Sequence, residues 1–330
     1  MSDSPRSTTR RNAILAATVI AFSLPGIASS AQNYPSKPIT LVVPFSAGAG
    51  TDQVARAVAE KLGGMMGATV LVENRPGAAG VIGATYVAKA VADGHTLLFT
   101  PNSFSFAQLI SGGGKPAYSP IDSFKPVIEV CKTPVFLVAG PQPGVKTFQE
   151  ALTTSKKTTL TYGSAGSGSI THLIGEAVNQ ATGINLEHVP YKGTSQAVVD
   201  LLGGHVAYSY ASMSTIEPHL KTQKMRILAT TGNTRTELAP DVPTIAELGY
   251  PKVNIMSWYG IFAPQGTSDS IISLLNGHID KILKMPDVIE TLKKQGSTPV
   301  GGPASALNQT NRADAAVYQK LIKELNITAN

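Results

Sequence analysis

The sequence contains few of the residues on which several classes of site depend. It has one cysteine, Cys131, in 330 residues, which excludes an internal disulfide and a metal site built from several thiolates. Aromatic residues make up 6% and charged residues 15%, and no basic run interleaved with aromatics marks a nucleic-acid surface. After the N-terminal region, no run of about 18 apolar residues occurs. We therefore expect a soluble mature chain that does not bind nucleic acid.

Motifs of common catalytic sites are also missing. The sequence has no G-x-S-x-G or S-x-x-K motif, and its six histidines form no H-E-x-x-H pair. Ser167 and His172 could act as nucleophile and base, although no acidic residue stands out to orient the histidine. We therefore expect no enzymatic activity, no metal and no cofactor. Hydrolysis of small esters by this pair is the alternative.

The N-terminal segment predicts export. Arg6, Arg10 and Arg11 precede an apolar stretch over 13–27 that is short for a membrane span, and small residues follow it. The arginine pair fits either the twin-arginine or the general secretory route. We expect residues 1–31 to be a signal peptide removed near Ala31, and the mature protein to be a periplasmic monomer.

Strand and helix signals alternate through most of the chain. Short apolar runs such as 39–43 alternate with segments of helical period such as 51–66. This rhythm is typical of the α/β class, in which helices cover parallel sheets. Long extended runs over 126–139 and 253–263 separate two such blocks. The pattern predicts two lobes with two crossings between them: 32–138 with 262–330 as lobe 1, and 139–261 as lobe 2.

Two Gly/Ser-rich loops, one in each predicted lobe, each leave a strand and open a helix. The first covers 44–52 and the second 162–169, with His172 one turn into the helix. Such loops present unpaired N–H groups at the positive end of a helix, which suits an anion. Neither loop contains Lys or Arg, so a carboxylate fits better than a dense polyanion. A capped strand–helix turn is the alternative interpretation of each loop alone.

Around these loops the chain resembles the extracytoplasmic solute-binding receptors of tripartite tricarboxylate transporters, the Bug family. The matching stretches are 34–39 (YPSKPI), 42–45 (VVPF), 72–77 (VENRPG), 93–98 (DGHTLL), 162–166 (YGSAG), 188–193 (HVPYKG), 200–204 (DLLGG), 241–244 (DVPT) and 257–260 (SWYG). The resemblance implies a type II periplasmic-binding fold of two parallel-sheet lobes. It further implies capture of a small carboxylate by lobe closure, and delivery to the transporter's membrane subunits or, alternatively, signalling through a sensor kinase.

The resemblance also implies which residues contact the ligand. Lobe 1 would contribute Phe45, Ser46, Gly48, Ala49, Gly50, Thr51, Asp52, Asn102, Ser103 and Ser105, and lobe 2 Ser164, Gly166, Ser167, His172 and Tyr191. Many relatives have an acidic residue where Ala211 stands, so its absence argues against an amino-acid ligand. Tyr208 and Tyr210 share one strand face and either lie in the core or form an aromatic pocket wall. The second alternative would favour an aromatic acid, such as terephthalate or a pyridine carboxylate, over an aliphatic dicarboxylate.

Overall fold

The computed structural model describes residues 34–111, 116–142, 144–324 and 327. The predicted signal peptide, 1–31, lies outside these residues. Within them, no helix is both long and apolar enough to cross a membrane.

A six-stranded mixed sheet forms the centre of lobe 1. Its strands are β1 (Ile39–Val43), β2 (Val70–Asn74), β3 (Thr96–Pro101), β4 (Phe124–Thr133), β10 (Ser257–Pro264) and β11 (Thr298–Pro299), in the order β11-β4-β10-β3-β1-β2. Strand β1 pairs in parallel with β2 and β3, whereas β10 is antiparallel to both β3 and β4. The late strand β10 therefore lies near the middle of the sheet.

Six α-helices belong to the described chain segments of lobe 1. They are α1 (Gly50–Met66), α2 (Val81–Ala88), α3 (Ala107–Ser111), α8 (Asp269–Ile282), α9 (Pro286–Lys294) and α10 (Ala304–Glu324). Helix α1 buries Val54, Val58 and Leu62 at helical spacing, and Gly67 ends it in the left-handed conformation at φ 61°. Helix α10 packs on β4, while Tyr318 and Ile322 near its end join the core of lobe 2. This last helix thus contacts both lobes.

Lobe 2 is built on a five-stranded mixed sheet. Its strands are β5 (Phe136–Ala139), β6 (Leu160–Ser164), β7 (Leu186–Pro190), β8 (Tyr208–Ala211) and β9 (Arg226–Thr230), in the order β7-β6-β8-β5-β9. Its helices are α4 (Phe148–Ser155), α5 (Ile170–Thr182), α6 (Thr194–Gly203) and α7 (Met213–Leu220). The sequence analysis missed α4, although the Thr147 hydroxyl accepts a hydrogen bond from the Glu150 N–H as a helix cap.

The structure confirms the α/β class and corrects two details. Both sheets are mixed rather than parallel, because strands β5 and β10 run antiparallel to their neighbours. The predicted lobe boundaries also differ from the sheet membership, since β5 lies in the second sheet and β10 in the first. One crossing therefore lies at 134–135 and the other before 257. At the first crossing, Lys132, Thr133 and Pro134 interrupt the apolar run 126–139 in the sequence.

Candidate functional site

A small cavity of about 40 Å³ lies where the strand ends of the two lobes face each other. It is lined by Phe45, Ala49, Gly50, Thr51, Pro101, Ser103, Thr133, Val135, Ala165, Ser169, Ile170, Thr171, Thr194, Ser212, Ser257 and Tyr259. Most of these side chains carry a hydroxyl, and none carries a charge. Ligands of open α/β sheets bind at such carboxyl ends of strands. The cavity is therefore the candidate site.

Four helices begin at this cavity. Their first residues or caps, Gly50 of α1, Ser169 before α5, Thr194 of α6 and Ser212 before α7, all line it. The caps of α1, α6 and α7 make no side-chain hydrogen bond to the helix. Because free N–H groups and helix dipoles both favour negative charge, the cavity is suited to an anion without any lysine or arginine.

Asp52 braces the first loop from behind. Its Oδ2 accepts hydrogen bonds from the Gly48 N–H at 2.9 Å and from Arg56 at 3.0 Å, and its Oδ1 accepts one from Asn74. Burial would raise the pKa of this carboxyl, but these hydrogen bonds lower it below its ordinary value. Asp52 is only 2% exposed and does not line the cavity. The prediction that it contacts ligand is corrected, because its oxygens are used to hold the loop.

Stacked histidines support the second loop in the same way. His172 and His188 lie with ring centroids 3.8 Å apart, and His172 Nδ1 accepts a hydrogen bond from the Gly168 N–H. Ser164 Oγ lies 2.6 Å from His188 Nε2 and accepts the N–H of Gly166. Burial, with the neighbouring His188, lowers the pKa of His172 to about 3, and burial lowers that of His188 to about 4. Ser164 and His172 are therefore positioning residues behind the cavity, which corrects their predicted role.

The two tyrosines of β8 lie in the core of lobe 2. Tyr210 is 0% exposed and packs edge-on against Tyr162, with ring centroids 5.5 Å apart. Tyr208 contacts Ser155 through its hydroxyl. The core alternative is confirmed, and the prediction of Tyr210 as a ligand contact is wrong because its ring faces the α5 side of the sheet.

The polar side chains of the turn after β3 point in two directions. Ser103 lines the cavity, and its hydroxyl has no hydrogen-bond partner among the described residues. Asn102 instead donates to Asp314 and Tyr318 of α10, and Ser105 donates to Asn311 at 2.5 Å. These two predicted contacts are corrected, since α10 covers them. Only Ser103 of the predicted three faces the cavity.

A second, outer groove of about 580 Å³ contains the remaining predicted residues of lobe 2. Gly166, Ser167 and Tyr191 line it together with Lys192 and, from lobe 1, the segment 77–79. The Tyr191 hydroxyl donates to Asp200 at 2.7 Å, so the ring and not the hydroxyl is presented to the groove. Nearby, Ser46 Oγ donates to the carbonyl of Lys192 across the lobes. Some of the residues predicted to contact ligand thus line the inner cavity, and others line this groove.

The sequence analysis missed several residues that line the cavity. Ser169, Thr171, Thr194, Ser212 and Tyr259 were not among the predicted contacts. Four of them stand at the start of a helix that follows a strand, a position that the strand-end rule could have identified. Tyr259 lies in the stretch 257–260, which had been noted only for its resemblance.

Comparisons with known proteins identify the family of this chain. The family model of the tripartite tricarboxylate transporter family receptor, TctC, matches residues 54–327. The protein BugT of Bordetella pertussis is 38% identical over 291 residues, which are 87% of this chain and 89% of BugT.

Two solved structures from Rhodopseudomonas palustris are also similar. One, described with adipate, is 31% identical with a TM-score of 0.86, over 90% of this chain and 100% of that chain. The other, MatC with bound malate, is 30% identical with a TM-score of 0.83, over 88% of this chain and 100% of that chain. The chain therefore belongs to the Bug family of tripartite tricarboxylate transporter receptors.

Proposed function

We propose that this protein captures a small carboxylate in the periplasm by lobe closure and delivers it to the membrane subunits of a tripartite tricarboxylate transporter. One observation carries the proposal. Four helices begin at a cavity between the lobes whose lining has hydroxyl groups but no charged side chain. Such a lining stabilises one carboxylate through N–H and O–H donors.

The inner cavity and the outer groove together favour a flexible dicarboxylate. We propose that one carboxylate occupies the inner cavity, where about 40 Å³ accommodates little more, and that the remainder of the ligand extends toward the separate outer groove of about 580 Å³. Lys192 lines the groove and could pair with a second carboxylate. Relatives described with adipate and malate agree with this class. An aromatic acid such as terephthalate or a pyridine carboxylate is the second candidate, although the burial of Tyr210 removes the aromatic wall that favoured it.

An amino-acid ligand fits the site poorly. Residue 211 is an alanine, and no acidic side chain lines the cavity. An ammonium group there would face the positive ends of helices without a compensating carboxylate. We therefore expect the site to prefer ligands that carry only negative charge.

We propose that the site binds its ligand without catalysis. The alternative hydrolase would need His172 as a base, but this ring is 3% exposed and its Nδ1 already accepts a backbone N–H. An ester-turnover assay of the wild type and of the Ser167→Ala/His172→Ala variant tests this alternative. Turnover that the double substitution abolishes would overturn the assignment.

A thermal-shift screen tests the proposed ligand class. The panel is adipate, malate, terephthalate, nicotinate and glutamate at millimolar concentration. Binding should stabilise the protein by about 2.7 kcal/mol when ligand is 100-fold above its dissociation constant. No shift with any carboxylate, or a shift with glutamate alone, would contradict the proposal.

Delivery is tested by uptake of the labelled ligand in cells that carry the transporter subunits, with and without this protein. Uptake that requires the protein supports transport. Unchanged uptake together with a ligand-dependent change in transcription would support the sensor alternative.

A further inference from the structure

The side-chain amide of Gln53 joins the two lobes. Gln53 lies in the first turn of α1 in lobe 1, and its Nε2 donates to the carbonyls of Gly48 and Ser214, both at 3.2 Å. Gly48 belongs to the loop that borders the cavity, whereas Ser214 is the second residue of α7 in lobe 2. Because both partners are carbonyl oxygens, which only accept, both N–H groups of the amide are used and its orientation is fixed. One side chain therefore connects the cavity loop with the opposite lobe.

A proline in α7 explains why this carbonyl is available. In a regular α-helix, the carbonyl of Ser214 would accept the N–H of the residue four positions later. That residue is Pro218, which lies within α7 and has no N–H. The Ser212 carbonyl, by contrast, receives its regular donor, the Ile216 N–H, at 3.3 Å. Pro218 thus removes the regular intrahelical bond of the Ser214 carbonyl, and this is the carbonyl to which Gln53 donates.

The beginnings of α1 and α7 come close enough for this contact because Gly50 has no side chain. A Cβ atom at Gly50 would overlap the Ser212 hydroxyl and would lie 2.8 Å from Ser214 Oγ. Gly50 is the first residue of α1, and its φ is not positive. The missing side chain, and not an unusual backbone conformation, is therefore what this glycine contributes. It lets the two helices meet directly across the cleft.

A second contact of this kind lies nearer to solvent. Ser46 Oγ donates to the carbonyl of Lys192 at 3.2 Å, and this contact is exposed. The bond from Gln53 to Ser214 is partly buried, and Ser214 is only 7% exposed. A buried acceptor that loses its donor costs more free energy than an exposed one, because water does not readily replace the donor. The Gln53 bond is therefore the stronger of these two links.

We propose that Gln53 and Pro218 form an interlobe clasp: Pro218 leaves the Ser214 carbonyl without an intrahelical donor, and Gln53 supplies the donor when the lobes close. In the open form water takes the place of Gln53, so the clasp favours closure without preventing opening. Both are positioning residues, since neither lines the cavity. The inference rests on the proposed function only in taking lobe closure as the event that captures ligand. A ligand that binds the closed form would gain affinity as the closed fraction rises.

Spin-label distances measured in buffer without any carboxylate test the clasp. Labels are attached to Thr69→Cys in lobe 1 and Lys157→Cys in lobe 2, both exposed positions, while the buried native Cys131 stays unlabelled. The distances should show a closed and an open population. Gln53→Met keeps the length of the side chain but donates no hydrogen bond, and it should lower the closed-to-open ratio about two- to tenfold. Gln180→Met, at an exposed position of α5, is the matched control and should leave the ratio unchanged.

Pro218→Ala separates the clasp from general destabilisation. The alanine supplies an N–H to the Ser214 carbonyl within α7 and thereby competes with Gln53. The closed-to-open ratio should fall roughly two- to fivefold. Tm should not fall, because α7 gains a hydrogen bond and loses a residue that disfavours helix. Lobe opening together with an unchanged or higher Tm is a result that a merely structural role of the proline would not produce.

The combination of the two substitutions is the sharpest test. In the Gln53→Met background, Pro218→Ala should change the closed-to-open ratio little, because the donor with which the new N–H competes is already gone. Additive effects of the two substitutions, or wild-type distances in either single variant, would overturn the clasp. These distances are measured without ligand, so a thermal-shift screen in which no carboxylate binds would contradict the proposed function and not the clasp.

Discussion

The side-chain amide of Asn74 donates a hydrogen bond of 2.9 Å to Asp52 Oδ1 and so joins the end of β2 to the first turn of α1. Asn74 also donates to the carbonyl of Phe45 in the first loop. Asp52 in turn accepts the N–H of Gly48. The two side chains therefore fix both ends of the loop that borders the cavity.

Asp52→Asn should destabilise the protein by about 1.5–3 kcal/mol, because it removes hydrogen bonds to a buried charged group. The folded-state pKa of Asp52 is lowered, so its contribution is present above the ordinary value of 3.8 and is lost as pH falls through the folded value. Urea unfolding at pH 7 and below pH 4 measures both effects. Asp241→Asn, at an exposed position, is the control. Equal stability of the two variants would contradict the bracing role.

The histidine pair predicts a loss of stability in acid. Because burial lowers the pKa of His172 to about 3 and that of His188 to about 4, the unfolded chain binds more protons below pH 6.5. The free energy of unfolding should therefore keep its full value above pH 6.5 and fall by on the order of 1–3 kcal/mol toward pH 4. Tm measured against pH should fall less steeply in His188→Gln than in wild type. His205→Gln, at an exposed position, should keep the wild-type slope.

Ser103 and Ser105 provide a matched pair within one turn. Ser103→Ala should weaken carboxylate binding about five- to tenfold without lowering stability, because its hydroxyl faces the cavity without a partner among the described residues. Ser105→Ala should lower stability by about 1 kcal/mol and leave affinity nearly unchanged, since it breaks the bond to Asn311. Calorimetry with the ligand found in the screen, together with thermal unfolding, measures both. The reverse pattern would show that the turn is oriented differently.

Tyr210→Phe tests the placement of the β8 tyrosines. The Tyr210 hydroxyl is buried without a hydrogen-bond partner in the described part of the chain, so its removal should raise stability by about 1 kcal/mol. Ligand affinity should not change, because the ring lies in the lobe 2 core. Tyr208→Phe should not stabilise, since its hydroxyl contacts Ser155. A loss of ligand affinity in Tyr210→Phe would contradict the core placement and would show that this ring forms part of the pocket wall.

The sequence predicted where the helices begin more accurately than it predicted which side chains point toward the cavity. Loops 44–52 and 162–169 follow strands and open helices as expected, because the apolar periods and glycines that mark them are local features. Phe45, Ala49, Gly50, Thr51 and Ser103, which are predicted to contact ligand, line the cavity. Asp52 and His172 lie in the first turns of the helices that these loops open, but they face away from the cavity.

The remaining residues could not be identified from one sequence because their roles depend on distant partners. Ser105 donates a hydrogen bond to Asn311, some two hundred residues away in the sequence, and Asn102 donates one to Asp314. These bonds hold both side chains away from the cavity. Tyr259 reaches the cavity only because β10 pairs with β3 and β4. Such long-range pairings leave no periodic signal in the chain.

The position of β10 has a consequence for the order in which the protein is assembled. Strand β10 separates β3 from β4, although it follows β4 by more than a hundred residues. While the chain emerges from its N-terminus, the first four strands cannot close their sheet, since its central place stays empty until residues 257–264 arrive. Lobe 2, whose strands all come from one continuous stretch, can form first. The lobe that begins the sequence is thus the one completed last.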